Sequence, residues 1–333
     1  MVSDNPRTVS KKRILSGVKP TGKAHLGNYL GAMKNHVTMQ NEYESFIFIA
    51  DLHSLTTVKN AKELRELIID LALDYLALGL DPERSVFFRQ SDIHEHAELT
   101  WILNCVTPMS MLELAHAYKD AVAKGKEVNA GVFDYPVLMA VDILIYKPDL
   151  VPVGQDQKQH IEIARDIAGK FNRTFGEVFK LPSPYIPKEV AVVTGTDGQK
   201  MSKSYGNIIE IFANEKTLKK QVMGVVTDST PMEQPKDPDK DNVFKLYSYF
   251  ATQEEKKSLA DKYMAGGFGY GDAKKLLLDK VFTYFEPYRQ KREDLSKNLD
   301  YVMDVLKKGA EKARAVASVT MSEVRKLTGL TIS

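Results

Sequence analysis

Cysteine is almost absent: Cys105 is the only one in 333 residues. That excludes an internal disulfide framework, a Cys-rich zinc ribbon and a four-cysteine iron–sulfur cluster, so no structural metal is expected. Long apolar runs are lacking as well, and no stretch approaches the roughly 18 residues that a membrane span needs. Neither sign of charge dominates, with 46 Lys plus Arg against 44 Asp plus Glu. This balance excludes a histone-like arm or a strongly basic coat for nucleic acid. Met1 to Lys12 is polar and has no apolar core segment, unlike a secretory signal. Internal repeats and low-complexity segments are absent. What remains, 43% hydrophobic and 27% charged residues, has the composition of a globular chain. These features predict a soluble, cytoplasmic protein of about two domains with a reduced thiol.

The first two hundred residues read as α/β. Candidate strands are Arg13–Ser16, Phe46–Ala50, Val86–Arg89, Leu150–Val153 and Ala191–Thr194. Runs such as Phe46-Ile47-Phe48-Ile49 lack polar alternation, as parallel strands covered on both faces do. Between strands, Leu64, Leu67, Ile68, Leu71, Tyr75 and Leu78 recur at helical spacing, and Gly79 follows as a stop. Strands separated by helices imply right-handed crossovers and a doubly wound parallel sheet, with ligands at the carboxyl ends of the strands. After about residue 206 the strand signal ends. Thr227–Asn242, with three prolines, reads as a surface loop, and Gly266, Gly267, Gly269 and Gly271 as one turn between helices. Helical patterns run through Lys245–Phe250, Gln253–Met264 and Leu299 to Ala313. The predicted domains are 1–205, with a helical insertion at about 55–145, and an all-helical 206–333.

The chemistry starts at a Gly-rich turn. Gly17-Val18-Lys19-Pro20-Thr21-Gly22-Lys23-Ala24 nearly fits a phosphate-binding P-loop, but Ala24 has no hydroxyl for Mg²⁺ and Pro20 removes a backbone donor. The residues that follow suit a different nucleotide site. His25-Leu26-Gly27-Asn28 opens a predicted helix Tyr29–Met39, whose N-terminus offers amides and a positive dipole end to phosphate. Gly27 leaves room for a base or ribose against the backbone, and His25 can donate to a phosphate while its protonation stays adjustable near neutral pH. A second element, Lys200-Met201-Ser202-Lys203-Ser204, places two lysines on a Gly-flanked loop. Such charges count most where negative charge develops on a pyrophosphate leaving group. Together the two elements point to a split ATP site.

The pair His-Leu-Gly-Asn and Lys-Met-Ser-Lys-Ser resembles the two signature motifs of class I aminoacyl-tRNA synthetases. The resemblance extends to their bacterial tryptophan branch through Ser16–Gly22, Ala50–His53, Tyr135–Leu144 and Val151–His160, and so covers almost the whole chain. It implies a HUP-like Rossmann catalytic domain with an inserted connective segment, a helical anticodon-binding domain and a homodimer. ATP with Mg²⁺, L-tryptophan and tRNA(Trp) are the implied partners. His25, Asn28, Lys200 and Lys203 are the implied catalytic set. ATP contacts carry over to Lys19, Pro20, Thr21, Gly27, Asn28, Gly154, Gln155, Asp156, Val192, Lys200, Met201, Ser202, Lys203 and Ser204. The amino acid would meet Gly17, His53, Tyr135, Met139, Asp142, Val153 and Gln157.

These positions can be checked against an indole ring, whose N–H only donates. Asp142 lies three residues after Met139 on a presumed helix Pro136–Tyr146, so both can face one cavity, the carboxylate as acceptor and the thioether as a soft wall. Related tyrosine enzymes usually carry a polar amide in place of Met139, which favours tryptophan here. Lys19 stands where the family often has glutamine, and Ala121 where it has a lysine, leaving Lys119 or Lys124 as candidates for that role. A tyrosine-type synthetase and a catalytically silent paralogue remain as alternatives, as does a metabolic adenylyltransferase.

Overall fold

The computed structural model describes residues 11–123, 125, 128–154, 157–185 and 192–332. Five strands, β1 (Arg13–Val18), β2 (Glu44–Ile49), β3 (Ser85–Arg89), β4 (Leu150–Pro152) and β5 (Ser183–Tyr185), form one sheet in the order β3-β2-β1-β4-β5, every neighbouring pair parallel. This is the doubly wound arrangement expected from the apolar runs. The pleat sends Phe46 and Phe48 into one core and Ile47 and Ile49 into the other, which is why β2 reads as continuously apolar. Each such side chain, fully buried, contributes about 2 kcal/mol.

Between β1 and β2, α1 (Leu26–Asn28) runs through a π turn at Tyr29–Met33 into α2 (Lys34–Met39). The helix expected there therefore carries a one-residue widening directly after His25–Asn28, a feature often found beside functional sites. α3 (Asp51–Ser54) and α4 (Ala61–Ala77) lead to β3. α5 (Glu95–Asn104), α6 (Met109–Glu113), α7 (His116–Ala123) and α8 (Ala130–Leu144) then precede β4, so sheet strand β3 interrupts the mainly helical stretch 55–145. α8 starts six residues earlier than expected. The Asn129 side chain caps it by accepting from Val132 N–H, and Pro136 sits inside the helix rather than at its first turn. α9 (Lys158–Phe175) connects β4 to β5.

The expected strand Ala191–Thr194 is not formed. Ala191 lies outside the described residues, and Thr194 makes only an isolated bridge to Lys200. The fifth strand is instead Ser183-Pro184-Tyr185 on the sheet edge, where a proline costs no ladder bond on the open side.

Among the described residues the chain after β5 is helical: α10 (Glu215–Met223), α11 (Asn242–Ser248), α12 (Gln253–Ala265), α13 (Tyr270–Ser296) and α14 (Leu299–Thr328). α13 follows the 266–271 turn, where the sequence implies a helix without fixing its bounds. α14 runs back across the nucleotide-binding half and seals the sheet edge at β3. At Gly309 the two backbones nearly touch; a Cβ there would lie 1.8 Å from Phe87 O. Its Val302 to Leu306 segment joins one core and its Ala310 to Val324 segment the other. No helix among the described residues is long and apolar enough to cross a membrane.

Candidate active site

In the observed strand order the connections reverse between β1 and β4, and such a reversal opens a crevice at the carboxyl ends of the strands. A cavity of about 800 Å³ lies at that point, lined by Leu15–Lys19 from β1 and Val151–Gly154 from β4. Gly17, His53, Tyr135, Met139, Asp142, Val153 and Gln157 all line it, as do Lys19 and Gly154. Residues drawn from five separate parts of the chain therefore share one space.

Asp142 is 1% exposed. Its Oδ2 accepts from His53 Nε2 at 2.8 Å and its Oδ1 from Gln90 Nε2 at 2.7 Å. Burial alone would push the carboxyl up, but the imidazoles of His53 and His96 outweigh it and hold the group at about 2. Asp142 is thus a charged acceptor in an otherwise apolar floor, one helical turn from Met139. Next to it, the Tyr135 ring meets that of His53 edge-on at 6.2 Å, and His160 joins two of the expected residues. Gln157 Oε1 lies 3.0 Å from His160 Nδ1, and Tyr135 Oη lies 3.0 Å from His160 Nε2. An amide oxygen only accepts, so Nδ1 carries the hydrogen and Tyr135 donates to Nε2. Gln157 then has its NH₂ to offer a carboxylate. Lys19 Nζ donates to Thr56 Oγ1 at 3.3 Å, and burial lowers its pKa, which makes it a poorly solvated cation at the cavity wall.

The two nucleotide motifs meet beside this cavity, side chains of the second against backbone of the first, and the segment just after the second adds main-chain bonds. Leu26 N–H donates to Ile209 O at 3.0 Å and Ile211 N–H to Ala24 O at 3.1 Å. Gly27 N–H points at Met201 Sδ, 3.3 Å away, and a Cβ on Gly27 would meet the His25 ring at 2.9 Å. Lys203 Nζ donates to Thr21 O and Gly22 O, each at 2.9 Å. The loop after residue 200 is therefore latched onto the Gly-rich turn. Burial lowers the pKa of Lys203, while Asp74 and Glu210 work against that effect.

His25 departs from expectation. Its side chain is buried and caps α1, Nδ1 accepting from Asn28 N–H at 3.4 Å while Asn28 Oδ1 accepts from His25 N–H at 3.3 Å. Burial, reinforced by the charge of Lys203, pushes its pKa down to about 4. The ring is neutral at pH 7, with its hydrogen on Nε2, rather than adjustable near neutrality. Val192 is 68% exposed and does not line the cavity. Lys119 is exposed on α7 and does not line it either, although its neighbour Asp120 does. Gln155, Asp156 and Lys124 lie outside the described residues. The sequence reading missed Gln90, His96, Thr56 and His160. His160 stands three residues after Gln157, a helical spacing that can be read; nothing local marks the other three.

With this geometry in place, the chain can be set beside known proteins. Residues 9–286 match the model of a family described as tRNA synthetases class I (W and Y). A tryptophan–tRNA ligase from Fusobacterium nucleatum is 54% identical over 320 residues, covering 96% of this chain and 98% of that one. The crystal structure of a tryptophanyl-tRNA synthetase from Campylobacter jejuni, complexed with ADP and tryptophan, superposes with a TM-score of 0.91 at 47% identity. It covers 95% of this chain and 99% of that one. A tyrosyl-tRNA synthetase from Archaeoglobus fulgidus complexed with L-tyrosine shares the fold, with a TM-score of 0.62 at 20% identity.

Proposed function

The chain belongs to the class I tRNA synthetases of the tryptophan and tyrosine family, and we propose from this that it activates L-tryptophan with ATP and transfers it to tRNA(Trp). It is an aminoacyl-tRNA synthetase, a ligase. The observation that carries the choice of tryptophan is Asp142, a buried carboxylate next to Met139 on the cavity floor. A ring N–H that only donates can add to the bonds from His53 and Gln90 on that acceptor, whereas phenylalanine offers it no hydrogen and a tyrosine hydroxyl would meet a thioether where it needs a polar partner. The near full-length similarity to tryptophan–tRNA ligases supports the same choice.

In this reading the indole lies against Met139, Val153 and Gly17, with His53 beside it and Tyr135 and Gln157 at the amino-acid end. Lys19 faces the substrate carboxylate or a phosphate. ATP, entering as its Mg²⁺ complex, lies along Lys19–Thr21, Gly27–Asn28, Gly154–Asp156 and Lys200–Ser204. The tryptophan carboxylate attacks the α-phosphorus in line, forming tryptophanyl-adenylate and releasing pyrophosphate. No side chain serves as nucleophile. The protein contributes alignment and positive charge, from Lys200 and Lys203, and a neutral His25 donating through Nε2. For Lys203 to meet the phosphates it must exchange the carbonyls of Thr21 and Gly22 for phosphate oxygens. A ribose hydroxyl at the 3′ end of the tRNA then attacks the carbonyl carbon of the adenylate, forming the ester as the acyl–phosphate bond breaks and AMP leaves, and the helices after residue 206 approach the anticodon.

The enzyme acts in the cytoplasm as a homodimer. Trp101 on α5, 72% exposed, Met109 on α6 and Leu114 just after it support a subunit interface there. ATP–pyrophosphate exchange with tryptophan, tyrosine and phenylalanine in parallel tests the central reading. Exchange with tryptophan alone is expected; exchange driven by tyrosine would overturn the pocket assignment, and no exchange at all would indicate a silent paralogue.

A further inference from the structure

Behind Asp142 lies a layer of side chains that never reaches the cavity. Gln90 and His96 are each 0% exposed, and neither lines the cavity. Gln90 follows β3 directly. Its Nε2 donates to Asp142 Oδ1 at 2.7 Å while its Oε1 accepts from Leu52 N–H at 3.1 Å. Because the amide oxygen can only accept, the Leu52 N–H dictates which end of Gln90 meets the carboxylate. His96 backs the same oxygen. Its Nε2 lies 2.8 Å from Tyr146 Oη, and its Nδ1 lies 2.9 Å from Asp142 Oδ1, out of line for a hydrogen bond. An ionised carboxylate oxygen only accepts, so the nitrogen that faces it, Nδ1, carries the hydrogen of a neutral ring, and Nε2 accepts from the Tyr146 hydroxyl.

The two carboxylate oxygens are therefore unequal. Oδ1 is held from behind by Gln90 and His96, whereas Oδ2 has His53 alone among the described residues. His53 and Asp142 line the cavity together, so the spare lone pair is on Oδ2 and on the substrate side. A terminal carboxylate torsion is broad when left to itself, and a rotated carboxylate would present no lone pair in the plane of the ring. We propose that Gln90 is a positioning residue for amino-acid selection: by tethering Oδ1 it fixes the Asp142 plane so that Oδ2 meets the indole N–H. Gln90 touches no substrate and acts through Asp142. The proposal rests on the reading above, in which Asp142 accepts the ring N–H.

The test compares tryptophan with 3-benzothienylalanine, whose sulfur replaces the ring N–H, in ATP–pyrophosphate exchange. In Gln90→Met the apolar chain fills the same space, and Leu52 N–H keeps Asp51 Oδ1 as an acceptor at 3.1 Å. The expected result is a fall of about tenfold in kcat/KM for tryptophan, carried by KM, consistent with one charge-assisted hydrogen bond to a buried carboxylate. The value for the benzothienyl analogue should stay within about twofold, because that substrate offers no hydrogen to position. Equal losses for both substrates would mean a merely structural role, and no loss for either would mean that Gln90 does not position the acceptor; both overturn the proposal. Asp142→Ala, run alongside, separates the two levels. If Asp142→Ala erases the preference for tryptophan and Gln90→Met leaves it intact, the reading of Asp142 stands and the proposal falls. If Asp142→Ala leaves the preference intact, the reading itself fails and takes the proposal with it. Should Gln90→Met not fold, Gln90→Asn, which withdraws the amide by one methylene, replaces it in the same comparison, and the same outcomes support or overturn the proposal.

Discussion

The two halves of the site are built in different ways. The half assigned to tryptophan is a set of side chains locked to one another: His53 and Gln90 on Asp142, Tyr135 on His160, His160 on Gln157. The half assigned to ATP is a joint between chain segments more than 170 residues apart, closed by main-chain bonds such as Leu26 N–H to Ile209 O and by a lysine resting on carbonyl groups. A pocket of interlocked side chains has its shape before the ligand arrives. A joint latched by one cation can reopen when that cation finds a better partner. In the proposed reading, selection of the amino acid belongs to the rigid half, and the charge changes of the reaction belong to the adjustable one.

Breaking the adjustable half should leave the rigid half intact. Lys203→Ala is expected to slow adenylate formation by at least about a hundredfold, the scale of losing one preorganised charge at a leaving group. Tryptophan affinity should change little. Unchanged pyrophosphate exchange would contradict the role of Lys203. Met201→Ala removes the sulfur that meets Gly27 N–H and should cost about tenfold in the same step through misalignment. Rapid-quench measurement of adenylate separates this from an effect on tRNA transfer.

Lys19 sits where the halves touch, so Lys19→Ala sharpens the boundary. An increase of about fivefold in KM is expected, on the scale of one charge-assisted hydrogen bond. If the increase is for tryptophan the lysine serves the rigid half, and if for ATP the adjustable one. Lys19→Gln should restore most of the loss.

The smallest effects concern pH. His25 and His36 are both buried and both held at about 4 against an ordinary 6.5. The fold favours their neutral forms, so the stability they contribute is fully present above pH 6.5 and is lost as pH falls through 4. Denaturation midpoints measured across that window should fall toward acid, and His36→Gln should flatten the fall. Between pH 6 and 8 neither ring titrates, so the exchange profile of a His25→Asn variant should keep the wild-type shape even if its height drops.

This contrast also explains what could be read from the chain alone. Both motifs and four of the five strands follow from local pattern, because strand runs and turn residues act over a few positions; of the residues gathered around the large cavity, the helical spacing of Met139 and Asp142 can be read in the same way, and the others come from the family resemblance. β5 was hidden because Pro182 and Pro184 look like a loop, and only its place on the sheet edge makes them tolerable. The extent of α13 was hidden by Pro287 in its interior and by aromatic residues, Tyr284, Phe285 and Tyr288, on more than one face. Gln90 and His96 were hidden for another reason. Their roles come from what they touch across the fold, 52 and 46 positions from Asp142 respectively, and no spacing announces that.

Equilibrium binding of tryptophan in the absence of any nucleotide tests the central claim most directly. The wild-type chain, Lys203→Ala and Met201→Ala should bind it with the same Kd within about twofold, while Asp142→Ala should weaken binding by at least about tenfold. If tryptophan binds only once a nucleotide is present, or if Lys203→Ala weakens it as much as Asp142→Ala does, the rigid half is not complete on its own and the division proposed between the two halves is wrong.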